Sequence, residues 1–250
     1  MHVDEFNREL LAFLAAATTP FHAVEALVTR LQAAGFAPLQ AEQAWPLQAG
    51  GRYYLTRNDS SLIAFTVGTE CPPEAGVRMV GAHTDSPCLM VKPTPEKRRA
   101  GYFQLGVEVY GGALLNPWFD RDLSLAGRVS FADGGGVLRT ATVDFRRPLA
   151  VIPSLAIHLD REANQSRSIN PQTDILPVLS LQADTALPSF RELLRERVLE
   201  EHPDCGVAEV LDYELSFYDT QPPALVGLHS EFVASARLDN LLSCFTGLQS

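Results

Sequence analysis

The spacing of apolar residues changes period along these 250 residues, and that change constrains the fold more than any other feature. Over the first 35 residues the period is helical. Phe6, Leu10, Phe13 and Leu14 share one face, and Val24, Leu27, Val28 and Leu31 form a second stripe. Asp4 and Glu5 sit in the first turn, where the helix dipole favours acidic groups. Thr19-Pro20 supplies a cap and a first-turn proline for the second helix, and Gly35 is placed to end it. From residue 51 the pattern turns to strands. Residues 52–57 and 62–67 flank Asn58-Asp59, which predicts a hairpin, and the apolar run at 77–80 predicts a short buried strand entering Gly81-Ala82-His83.

After Pro87 the strand texture continues. Phe103, Leu105, Val107 and Val109 alternate with polar or small residues, and 129–131 and 137–145 flank Asp133-Gly134-Gly135-Gly136 as a second hairpin. One helix over 189–201 interrupts this section, and the alternation resumes at Leu211, Tyr213, Leu215 and Phe217. The last stretch, 232–238, leads into Asp239-Asn240 and a helical pattern from Leu241. These textures describe an α/β domain over 1–89 and 234–250, interrupted by a β-rich insertion over 90–233.

Composition narrows the function. With 46% hydrophobic and 20% charged residues, each part can bury a core. A net charge of −10 argues against nucleic acid and anionic membrane as partners. Cys71, Cys88, Cys205 and Cys244 show neither a zinc-finger spacing nor a disulfide framework, which points to a reducing compartment. Asp4 and Glu5 stand where a secretion signal carries basic residues, and no apolar run reaches the roughly 18 residues of a membrane span. The expectation is a cytoplasmic protein.

Two short segments carry the candidate chemistry. In His83-Thr84-Asp85-Ser86-Pro87, a histidine follows a strand, and Asp85 can fold back onto its second ring nitrogen, fixing the tautomer and freeing the other nitrogen for a metal. The same residues also read as a polar turn with an Asx-type bond. In Arg237-Leu238-Asp239-Asn240, the carboxylate on a strand-to-helix corner reads as a ligand bridging two cations or as a helix cap. His158, between Ile157 and Leu159, reads as a strand histidine on a polar face, structural or functional. His22 reads as a surface or packed histidine. His229-Ser230-Glu231 lacks a nucleophile elbow, and Gly134-Gly135-Gly136 lacks the phosphate-loop spacing, so it reads as a turn. Trp118 and Phe119 are core or interface aromatics, and Lys97-Arg98-Arg99 reads as a solvated loop.

Taken in order, Gly81-Ala82-His83-Thr84-Asp85-Ser86-Pro87, Val91-Lys92-Pro93, Asn116-Pro117-Trp118, Ala156-Ile157-His158-Leu159, Asn170-Pro171 and 235–240 resemble the aspartyl aminopeptidase family of dinuclear zinc exopeptidases. The resemblance implies a three-layer α/β/α catalytic domain interrupted by a β-rich oligomerisation domain. It implies His83 and Asp239 as ligands of two Zn2+ ions per subunit, Asp239 bridging both, with Asp85 supporting His83. It implies that His158 completes the site of a neighbouring subunit in a homo-oligomer, a tetrahedral dodecamer, and that peptides lose an acidic N-terminal residue by attack of a metal-activated water. It further implies a general-base glutamate and more metal ligands beyond Ser250, so that the chain is expected to lack a C-terminal part. Two other functions stay open: a related di-zinc aminopeptidase or acylase of different specificity, and a non-catalytic oligomerisation module.

Overall fold

The computed structural model describes residues 2–70, 76–181 and 188–250. Cys71 lies outside the described residues. The chain divides into two compact units, one formed by residues up to Ser86 together with Pro222–Ser250, the other by Pro87–Gln221.

The first unit opens with the two expected helices, α1 (Val3–Ala16) and α2 (Pro20–Ala33). Each buries its apolar stripe: Leu10, Phe13 and Leu14 on α1, and Phe21, Ala23, Val24, Leu27 and Leu31 on α2. Thr19 is the N-cap of α2, but its hydroxyl pairs with Nδ1 of His22 at 2.8 Å instead of a backbone amide. The end of α2 is closed twice, by Gly35 N–H to Gln32 O and Phe36 N–H to Leu31 O, both 3.0 Å. That pattern needs a left-handed residue after the helix, and Gly35 supplies it at φ 79°. Strand β1 (Ala37–Pro38) runs parallel to β2 (Arg52–Arg57), which pairs antiparallel with β3 (Ser61–Thr66). The connecting Asn58 and Asp59 adopt φ 52° and 54°, a region these two residue types tolerate.

The run at 77–80 is not the buried strand that its composition predicts. It pairs with no strand among the described residues, and Val77, Met79 and Val80 are 73%, 88% and 75% exposed. An apolar run becomes a buried strand only where neighbours supply a ladder and cover on both faces; the described residues supply neither.

The second unit is a six-stranded antiparallel sheet in the order β7-β6-β9-β4-β5-β8. Its members are β4 (Cys88–Arg99), β5 (Tyr102–Tyr110), β6 (Leu123–Asp133), β7 (Leu138–Asp144), β8 (Val178–Leu181) and β9 (Val207–Asp219). Helix α3 (Phe190–Glu201) packs on β9 and β7. Alternate residues of β5, β6 and β9, among them Phe103, Leu105, Leu125, Phe131, Leu215 and Phe217, meet Phe190, Leu194 and Val198 of α3 in one core. Ser189 and Glu192 form a reciprocal capping box at the start of α3. Register shifts in β9 opposite Ser130 and Phe131 turn Leu211 outward, which breaks the alternation expected there. Lys97-Arg98-Arg99 ends β4 as an exposed strand, not a loop, paired with Gln104, Phe103 and Tyr102. Phe119 is buried and Trp118 packs against the same core, so this aromatic pair takes its core role.

The chain then returns to the first unit. Strands β10 (Ala224–Val226) and β11 (Phe232–Ala234) pair antiparallel and lead into α4 (Leu238–Gln249). Leu241 and Phe245 of α4 complete the core made by Leu10, Phe13, Leu14, Ala17, Ala23 and Leu27. Among the described residues no helix is long and apolar enough to cross a membrane.

Candidate metal centre

The first unit brings His83 and Asp239 together although 156 positions separate them in sequence (239 − 83). His83 sits in an irregular stretch tied to the β2–β3 turn by Thr84, whose hydroxyl donates to Ser60 O at 2.7 Å. Asp239 sits at the first turn of α4, where it and Asn240 leave helical geometry. Nε2 of His83 faces Oδ1 of Asp239 at 3.4 Å.

The other imidazole nitrogen defines the tautomer. Nδ1 lies 3.0 Å from the backbone oxygen of Asp85 and 3.3 Å from its Oδ1. Both are acceptors, and a carbonyl cannot donate, so in the neutral ring Nδ1 carries the proton. The lone pair of Nε2 then points toward a carboxylate oxygen. Two electron-rich atoms face each other, an arrangement that a cation between them stabilises. Two tetrahedral ligands at about 2.1 Å from one zinc are themselves about 3.4 Å apart, which is the separation found here. The pair therefore suits zinc in donor type and spacing. It does not suffice in number, because among the described residues no group of three or more histidine, cysteine, aspartate or glutamate side chains is arranged to hold a metal.

The corner that carries Asp239 is held from two sides. Ser86 donates its hydroxyl to Asp239 O at 2.8 Å. Arg237 donates from Nε to Ala17 O at 3.0 Å and from Nη2 to Leu14 O at 3.2 Å, at the C-terminal end of α1. Neither role is readable from spacing, since the partners lie 153 and more than 200 residues away. The Cys244 thiol donates to His83 O at 3.2 Å, and burial, reinforced by the Asp85 charge, pushes that thiol's pKa up. A cavity of about 360 Å³ opens beside His83, Thr84 and Asp85 and reaches Cys244.

His158 belongs to the second unit, and its local structure differs from the expected strand. Residues 157–159 form a turn closed by Leu159 N–H and Asp160 N–H on Ala156 O, with the Ile157 and Leu159 side chains exposed. Apolar alternation here has no described neighbouring strand to pair with. His229 and Ser230 lie in an exposed loop in which Glu231 accepts from the His229 backbone amide.

Residues 13–250 match the family described as aminopeptidase I zinc metalloproteases (M18). A probable M18 family aminopeptidase 2 from Ectopseudomonas mendocina (strain ymp) is 59% identical over 247 residues, covering 99% of this chain and 57% of that protein. This chain thus spans little more than half the length of the curated relative it matches. Among solved structures, a chain in the cryo-EM structure of the Ape4 and Nbr1 complex superposes with a TM-score of 0.92 at 37% identity, covering 98% of this chain and 50% of that one. The S. cerevisiae mApe1 dodecamer gives a TM-score of 0.76 at 26% identity, with 97% and 56% covered. The α/β fold expected from the sequence is the fold of these aminopeptidase structures.

Proposed function

The chain belongs to the aminopeptidase I zinc metalloprotease family, M18, and from that membership we propose that it carries part of the two-zinc centre of a cytoplasmic, homo-oligomeric aminopeptidase that removes N-terminal residues, Asp and Glu by preference. One observation carries the reading: Nε2 of His83 and Oδ1 of Asp239 stand 3.4 Å apart, the separation of two ligands on one zinc. In this reading His83 and Asp239 would hold zinc, Asp239 being shared between two ions, and bound zinc would supply a water of near-neutral pKa and a Lewis acid for the scissile carbonyl. Asp85 accepts a hydrogen bond from Nδ1–H, which keeps the imidazole in the ligating tautomer. Arg237 and Ser86 hold the backbone on either side of the Asp239 carboxylate. His158, exposed on its turn, reaches the corresponding site of a neighbouring copy. The dodecameric state of mApe1 in S. cerevisiae supports assembly of this kind. Preference for acidic residues rests on the motifs that resemble aspartyl aminopeptidases.

The test compares the full-length protein as wild type, Asp239→Ala and Asp85→Asn for zinc content by mass spectrometry and for hydrolysis of aspartyl, glutamyl and leucyl anilides. The proposal expects zinc loss and no turnover in Asp239→Ala. It expects affinity or rate roughly 10- to 100-fold lower in Asp85→Asn. Normal zinc and turnover in Asp239→Ala overturn the metal assignment. Zinc with equal use of leucyl substrate selects a related aminopeptidase of different specificity, and zinc-free, inert wild-type protein selects the non-catalytic assembly module.

A further inference from the structure

We propose that Arg237 is the positioning residue for Asp239, locking the strand-to-helix corner onto the end of α1 so that the carboxylate faces His83. The inference rests on the reading of Asp239 as a zinc ligand and adds to it the device that holds the ligand in place.

Three observations converge on this arginine. Its backbone is left-handed, φ 62° and ψ 21°, although it carries a full side chain. Such a conformation is unfavourable for a residue with a Cβ and persists where surrounding structure over-determines it. The guanidinium supplies that determination through two donors at different angles, Nε to Ala17 O and Nη2 to Leu14 O. Those acceptors are carbonyls at the end of α1, whose last turn contains no basic residue of its own. Arg237 therefore satisfies orphan carbonyls and places a cation at the negative end of the helix dipole.

The anchor under this contact is rigid. Leu14 and Ala17 are fully buried, and Phe13 of the same turn packs on Phe245 of α4 with ring centroids 5.6 Å apart. Only Leu238 separates Arg237 from Asp239, and Leu241 N–H returns to Arg237 O at 3.2 Å. Ser86 holds the Asp239 carbonyl from the His83 side. The 3.4 Å approach of Asp239 Oδ1 to His83 Nε2 is thus set from α1 as well as from the loop carrying His83.

Two substitutions separate the clamp from general stability. Arg237→Lys keeps the charge and loses the planar fork that reaches both carbonyls. Arg237→Gly accepts φ 62° without strain but removes the clamp entirely. The measurement is the zinc dissociation constant of the full-length protein, by competition with a chromophoric chelator, for wild type, both Arg237 variants, Asp239→Asn and the Arg237→Lys/Asp239→Asn double variant. Urea unfolding of each confirms the folded state. Zinc affinity is expected to fall about tenfold or more in the Arg237 variants, as for other residues that orient metal ligands. In the Asp239→Asn background the Arg237 change should add little, because both act through one carboxylate. Folded Arg237 variants that bind zinc as wild type does, while Asp239→Asn does not, overturn the inference alone. If Arg237→Gly does not fold, Arg237→Lys decides. Wild-type affinity in Asp239→Asn, or no zinc binding by wild type, removes the reading of Asp239 and the inference with it.

Discussion

Gly127 shows how a single atom can decide the sheet. It lies on β6 opposite Leu215 of β9, at φ 153°, and a Cβ built there would stand 2.0 Å from Glu214 O and 2.9 Å from Leu215 Cα. Both obstacles are backbone, so nothing can swing aside. Gly127→Ala should therefore cost at least about 1–3 kcal/mol, the usual range for overpacking, read as a lower urea midpoint with an unchanged slope. Wild-type stability would mean that β6 and β9 do not approach as described. At this scale the sequence exposes some residues and hides others. Asn58 and Asp59 announce their turn through local chemistry, and His83 with Asp85 is readable because the two act over two positions. Gly127, Ser86 and Arg237 are opaque, since their roles are fixed by partners 87 or more positions away (214 − 127 for the nearest).

Helix α4 links packing to chemistry at the scale of the element. Phe245 is fully buried, edge-on to Phe6 at 5.2 Å and against Phe13 at 5.6 Å, and the same helix begins at the Asp239 corner. Phe245→Ala should destabilise the first unit by about 3–5 kcal/mol and loosen Asp239 in the same step. Thermal unfolding and the zinc affinity of the surviving folded protein check both effects. A stable variant with unchanged affinity would show that α4 is held by other means. Helices α1, α2 and α3 are legible because caps, stripes and stop signals sit within a few residues of each other. The strand expected at 77–80 and the strand expected around His158 are not found, for a common reason. Period and composition report what a segment can bury, and only the neighbouring strands decide whether it does.

At the scale of the whole molecule, two separate cores explain why the apolar period changes along the chain. One collects Phe13, Leu14 and Phe245 from its first and last segments; the other collects the sheet and α3 between them. A long excursion of the chain is compatible with a site built from His83 and Asp239 because each end of it belongs to the first unit. The order of the motifs made that convergence an expectation, while the 3.4 Å approach and the bonds of Arg237 to the end of α1 join residues too far apart in sequence for spacing to reveal. The most direct measurement is diffraction at the zinc absorption edge from crystals of the full-length protein equilibrated with zinc. An anomalous peak is expected about 2.0–2.2 Å from both Nε2 of His83 and a carboxylate oxygen of Asp239. No peak at that position, with zinc elsewhere or absent, would contradict it.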